Sequence, residues 1–307
     1  VDSGTASTSS ANAGSYTINN LTGVSIANGT NGGLASNYTL TAGTHNFTIN
    51  RRVVGVSGTR LYDATTNAAA SDLATHANLV GSQTLSLSGT GTIASKNVGS
   101  NKTLSIGTLA LGNGSNGGLA ANYPLTGGTH QLTVNQRPLN ATLARQYDAT
   151  TTSAGSTLSS FDALQGGETL TMTGSGTAAS KNVANGIAMA SNGTLALANG
   201  TGAASNYSLN STVINISQTS VDLSGSKTYD GNTTISNSSV NVASGLIGSE
   251  TLSLTGVVNA NNANVGSYSA SGGTLNMGST TIALANGANG GLAANYAIND
   301  GNFTITQ

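Results

Sequence analysis

A basic residue, a spacer, a tyrosine and an aspartate recur three times, as Arg60-Leu61-Tyr62-Asp63, Arg145-Gln146-Tyr147-Asp148 and Lys227-Thr228-Tyr229-Asp230. In a strand, residues i and i+2 share a face, which puts the cation beside the phenol. That pair could be a small ligand patch, or an aliphatic stem packed on a ring and worth roughly 0.5–1 kcal/mol. We take the packing reading, with Asp63, Asp148 and Asp230 each closing an Asx turn. Glu168 and Glu250 occupy matching positions, where an earlier stretch has Gln83. A general acid is not interchangeable with an amide, so these positions read as exposed strand residues. Lys96-Asn97 and Lys181-Asn182 are the parts of a Lys–Asn isopeptide crosslink, which also needs a buried carboxylate. The last quarter of the chain has no lysine at the corresponding place. His45 and His130 each precede an alternating segment. The histidines are far apart and the acids unclustered, which suits neither zinc nor the six to eight oxygens of calcium. No cysteine is present, so disulfides, thiolate metal sites and cysteine nucleophiles are excluded. No Gly-x-Ser-x-Gly elbow with a histidine partner is visible. The expectation is a chain that is not an enzyme and carries no cofactor and no metal site.

Composition narrows the partners. Only 6% of residues are charged and the net charge is −1, leaving no basic field for nucleic acid or anionic lipid. Ser, Thr, Asn and Gly must solvate the surface. Hydrophobic residues still make up 37% of the chain and alternate along it, which argues against disorder. No apolar run reaches the roughly 18 residues of a membrane helix. No signal peptide begins the chain, and Val1 opens mid-repeat, as a fragment or processed piece would.

The elements that must position these residues come in copies. Asn37-Tyr38, Asn122-Tyr123, Asn206-Tyr207 and Asn295-Tyr296 lie about 85 residues apart, and the Tyr-Asp pairs keep the same beat. The implied units are a truncated first repeat at 1–50 and full repeats at 51–136, 137–218 and 219–307. Leu85 and Leu87, Leu170 and Met172, and Leu252 and Leu254 alternate with Ser or Thr, the pattern of a half-buried strand. Phe47-Thr48-Ile49, Leu132-Thr133-Val134, Ile214-Asn215-Ile216 and Phe303-Thr304-Ile305 supply a closing strand. Residues 68–79 could hold a turn or two of helix. Asn-Gly clusters before each Asn-Tyr read as hairpin loops, since both residues tolerate positive φ. The joints carry no Gly/Ser linker, so closing and opening strands nearly abut and bending is limited. The expected fold is all-β: a tandem array of small β-sandwich modules, Ig-like or β-grasp-like, forming an elongated rod. A solenoid would need a much shorter repeat, which is absent.

The ordered set Tyr229-Asp230-Gly231, Gly248-Ser249-Glu250-Thr251-Leu252, Asn264-Val265-Gly266-Ser267-Tyr268, Asn295-Tyr296 and Phe303-Thr304-Ile305-Thr306 resembles the YDG-type and MBG-type repeats of bacterial filamentous-haemagglutinin-like exoproteins. The set is fullest in the last repeat. The second and third have Tyr-Asp-Ala, and the first lacks its Tyr-Asp half. The resemblance implies an extracellular or cell-surface location and a spacer role in two-partner-secretion adhesins or biofilm matrix, with no catalytic residues to carry over. Two other readings use the same residues. The Asn/Gly loops with Tyr38, Tyr123, Tyr207 and Tyr296 as stacking platforms would make a polyvalent face for extracellular polysaccharide. A first repeat completed by a strand from a neighbouring copy would make a fibre. Asn-x-Ser/Thr sequons, among them Asn20, Asn37, Asn46, Asn101, Asn140, Asn192, Asn206 and Asn302, slightly exceed what composition gives and are candidates for glycosylation.

Overall fold

The computed structural model describes residues 3–18, 21–40 and 44–307. It is all-β, with single 3-10 turns as its helical elements among the described residues. The chain divides into two compact units, Val1–Gln136 and Arg137–Gln307.

In the first unit, strands of the second repeat form a six-stranded sheet. Its order is Asn67–Ala69, Thr90–Ile93, Gly99–Ser105, His130–Asn135, Gly55–Leu61 and Leu73–Ala77. The opening strand Gly55–Leu61 and the closing strand His130–Asn135 are parallel neighbours, with Val134 opposite Arg60. Leu85–Ser88 pairs with Ala110–Asn113 as a separate ribbon. The closing strand alternates as its sequence demands: Leu132 and Val134 are fully buried, Thr133 is not. Of the first repeat, Gly14–Ile18 pairs antiparallel with its closing strand His45–Ile49.

The second unit repeats the scheme twice. Arg137–Gln146 runs parallel to Tyr207–Ser217 inside a six-stranded sheet, and Thr219–Thr228 runs parallel to Tyr296–Thr306 inside a four-stranded one. Parallel first and last strands depart from the purely antiparallel sheets of an Ig constant-type sandwich. The physical consequence is directional: the chain enters a repeat at one end of the sheet and leaves at the other. Only Gln218 separates Ser217, which ends one closing strand, from Thr219, which begins the next opening strand. The core of the third repeat runs through this joint. Leu143, Tyr147, Ile214 and Ile216 form one cluster with Val221 and Tyr296 of the fourth.

Residues 68–79 are not helical beyond one turn. They form strand Asn67–Ala69, the 3-10 turn Ala70–Asp72 and strand Leu73–Ala77. A matching 3-10 turn ends at the Asn of every Asn-Tyr, in Ala35–Asn37, Ala120–Asn122, Ala204–Asn206 and Ala293–Asn295. The Asn/Gly loops before those turns are closed structures. Asn28, Asn113, Asn199 and Asn286 each accept, through Oδ1, the N–H that begins the turn, at 2.7–2.9 Å. Asn116 and Gly117 hold φ of 58° and 77°, and Asn289 and Gly290 hold 57° and 86°, the positive φ of a tight Asn-Gly turn, but the strands flanking each loop lie in different sheets, so the loops are crossovers and not the expected hairpins.

Candidate functional site

The Tyr-Asp motif folds as a local clamp. Asp63 Oδ1 accepts the Thr65 N–H at 2.9 Å, Asp148 Oδ1 that of Thr150 at 2.9 Å, and Asp230 Oδ1 that of Asn232 at 2.9 Å. These are the expected Asx turns. The charged end of the basic residue goes to the aspartate. Arg60 and Arg145 pair with Asp63 and Asp148, and Lys227 Nζ donates to Asp230 at 2.6 Å. Each cation also caps a carbonyl two residues past the aspartate: Thr65, Thr150 and Asn232. An ion pair that the packing reading did not include thus holds each cation, because the aspartate lies within reach once the turn has formed. Asp230 titrates below the usual carboxylate range, held there by Lys227 and the Asn232 N–H.

Beyond the turn, Tyr147 points across the joint to the fourth repeat, whereas Tyr229 is exposed. In the second unit, Tyr147 Oη donates to Glu250 Oε1 at 2.6 Å, and Tyr296 Oη donates to Glu250 Oε2 at 2.7 Å. Lys181 Nζ lies 3.2 Å from Glu250 Oε1. The two rings meet edge to face at 5.5 Å between centroids. Tyr296 Oη also accepts the Ile247 N–H at 3.2 Å. Glu250 is only 6% exposed, so its reading as an exposed strand residue is wrong. It sits in the turn before Leu252–Thr255, and the opposing repeat covers it. Burial alone would raise its pKa, but bonds from Tyr147, Tyr296 and Lys181 outweigh burial and leave it below the usual range. Burial, followed by the bond to Glu250, pushes both phenols up to about 12.

Asn295 completes the joint. Its Oδ1 accepts the Val183 N–H at 2.9 Å, and its Nδ2 donates to Asn182 Oδ1 at 3.1 Å. At Asn295-Tyr296 the marker is thus two clamps. The asparagine grips the preceding repeat, and the tyrosine grips a carboxylate of its own repeat. Within the first unit the same parts recur. Asn122 Oδ1 accepts the Ala13 N–H at 2.8 Å, Asn122 Nδ2 reaches Asn12 at 2.9 Å, and Tyr123 Oη donates to Gln83. Tyr207 Oη donates to Glu168 at 2.9 Å. An amide can stand in for the acid here because the position accepts a hydroxyl proton and performs no proton transfer.

These placements correct several expectations. Tyr123, Tyr207 and Tyr296 are buried and offer no stacking face, whereas Tyr38 is exposed. Lys181 does lie beside a buried carboxylate, but an ammonium paired to an ionised carboxylate is a poor nucleophile, and Asn182 is engaged by Asn295. The pair is a tether. His130 is buried, accepting the Val56 N–H at Nδ1 and donating from Nε2 to the Leu125 carbonyl. Among the sequons, Asn206 is buried, which leaves no room for a glycan on the folded chain. Asn37, Asn46, Asn101, Asn140, Asn192 and Asn302 are exposed, and Asn20 lies outside the described residues. Among the described residues no group of three or more metal-ligating side chains converges. An apolar cavity of about 230 Å3 between Leu223, Val258, Leu275 and Phe303 is smaller than ordinary ligand pockets and is a gap in the last repeat's own core.

Fold and site together define a β-repeat protein in which, within each unit, recurring polar residues hold one repeat to the next. The YDG domain family matches residues 48–131 and 129–215, more than half of the chain, and the chain belongs to that family. Residues 219–307, where the motif set reads fullest, lie outside the matched segments. No curated protein and no solved structure matches the chain.

Proposed function

We propose that this chain is a structural segment, a stalk or filament piece of a large bacterial exoprotein, secreted or held at the cell surface. It is not an enzyme, and its repeats hold a binding region at a distance or build extracellular matrix. The observation that carries the reading is the buried Glu250. Its three donors come from two repeats, Tyr147 and Lys181 on one side and Tyr296 on the other, so its chemistry is spent on the joint. The one-residue spacing at Gln218 and the continuous core beneath it also favour a stiff connection. Extracellular location, two-partner secretion and an adhesin or biofilm context follow from the motif resemblance. Its partners are then extracellular polysaccharide or neighbouring copies, with neither nucleic acid nor membrane engaged by this segment.

Small-angle scattering tests the spacer reading. A globule of this length has a radius of gyration of about 19 Å. The proposal requires a value far above that and rod-like scattering at intermediate angles. A value near 19 Å ends it.

A further inference from the structure

In every full repeat the strand by which the chain enters and the strand by which it leaves are neighbouring inner strands of the main sheet. Gly55–Leu61 lies beside His130–Asn135, Arg137–Gln146 beside Tyr207–Ser217, and Thr219–Thr228 beside Tyr296–Thr306, each pair with a further strand on either flank. Each pair is parallel. Tension along the chain therefore pulls the opening strand toward its start and the closing strand toward its end. The two pulls act in opposite directions along the strands and across the hydrogen bonds, which are evenly spaced in a parallel ladder. The bonds share the load and must fail together, whereas strands pulled apart from one end lose them one at a time. The Arg137–Gln146 strand has 10 residues, so at about 3.3 Å per residue the shared ladder is about 30 Å long.

The third and fourth repeats also lock the register of this ladder. Asn210 bulges from the closing strand between Leu209, which lies opposite Leu139, and Ser211, which lies opposite Asn140. Asn140 Oδ1 accepts from Asn210 Nδ2 at 3.0 Å and from Ser211 Oγ at 2.6 Å. In the fourth repeat Asn299 bulges at the same place, and its Nδ2 donates to Asp222 Oδ1 at 3.0 Å. A strand that slides past its neighbour must pull the bulge out of that grip, and a one-residue slip turns its apolar face outward. Leu139, Leu143, Ile214 and Ile216 are buried, so the core face opposes the slip as well. Load leaving Ser217 enters the next opening strand after Gln218 alone, whose Nε2 donates to the Tyr296 carbonyl at 2.8 Å. We infer that these repeats bear tension: each is a shear-loaded module that stays folded under a pull between its two ends. This deepens the stalk reading, on which its biological use rests, because a spacer transmits every pull through its own backbone.

Single-molecule force spectroscopy on the whole chain tests this. The chain has no cysteine, so engineered pairs define the pulling points. Gln136→Cys with Ser217→Cys loads the third repeat's ladder in shear, and Thr151→Cys with Ser217→Cys peels the same ladder from one end. All three positions are exposed, so the fold tolerates the handles. At one loading rate the shear pair is expected to rupture at a force several-fold above the peeling pair, and then to release roughly 250 Å of chain. Asn210→Ala together with Ser211→Ala removes the grip on the bulge at two exposed positions. It should lower the rupture force in shear and leave the peeling force unchanged, whereas simple destabilisation speeds unfolding in both geometries. Equal forces in the two geometries overturn the inference, and so does a double variant that weakens both alike. A compact scattering profile would end the spacer reading without altering the force ratio. Equal forces in an elongated chain would end this inference and leave the spacer reading standing.

Discussion

At the residue scale, the third position of Tyr-Asp-Ala/Gly is set by backbone geometry and not by side-chain chemistry. Ala64, Ala149 and Gly231 hold φ of 63°, 60° and 77°, in the left-handed region that costs an L-residue about 1–2 kcal/mol. The cation and the Asx bonds around the aspartate force that conformation, which is why the position tolerates alanine at a cost. Ala149→Gly should raise stability by about 0.5–1 kcal/mol, read as a higher urea midpoint with an unchanged slope. An unchanged or lower midpoint would show that the turn is not strained there. The motif was visible in sequence, and so was the Asx turn. The destination of the cation was not, because i+2 adjacency to the ring and i+3 reach to the aspartate look equally available until the turn is formed.

Pairing between elements is where the sequence misleads most. The strands around Leu85, Leu170 and Leu252 were legible from alternation and form as expected, but their pairing into separate two-stranded ribbons was not. The residue just before them was misread: a lone Glu or Gln ahead of a strand looks solvated unless the element covering it is known. Losing Glu250 orphans two buried hydroxyls, so Glu250→Ala should cost about 2–4 kcal/mol, and Glu250→Gln only about 1 kcal/mol, given the working precedent of Gln83. Equilibrium unfolding measures both, and equal costs would contradict the joint geometry. The pH dependence has two limbs. The folded pKa of Glu250 is depressed, so its contribution is present at neutral pH and is lost as pH falls through the carboxylate range. Tyr147 and Tyr296 are raised from 10 to about 12, so their contribution is full below pH 10 and is lost as pH climbs toward about 12. Glu250→Gln should flatten the acid limb in unfolding midpoints scanned against pH. An unaltered acid limb would place the titrating group elsewhere.

For the molecule as a whole, the repeat architecture predicts coupling that runs through the joint of the second unit. Ile216 and Tyr296 share one buried cluster although they belong to different repeats. Native-state hydrogen exchange should give the Ile216 and Ile305 amides the same opening free energy, within about 0.5 kcal/mol, and Tyr147→Ala should split them. Distinct values in the unaltered chain would mean that the two repeats open independently. A joint of this kind explains why Asn-Tyr and Tyr-Asp keep one beat. Each half of the clamp sits on a different repeat, so neither drifts without losing its partner.

By itself the sequence determined the repeat length, the all-β character, the positive-φ Asn-Gly turns and the Asx turns. Those properties are written in local spacing, backbone tolerance and composition. Tertiary structure alone decided that first and last strands run parallel, that Tyr123, Tyr147, Tyr207 and Tyr296 are buried while Tyr38 and Tyr229 are exposed, and that Glu250 is an anchor. Those outcomes depend on which residues meet across about 100 positions of chain, and burial converts an ordinary polar side chain into a shared hydrogen-bond acceptor only after the neighbouring repeat has closed over it.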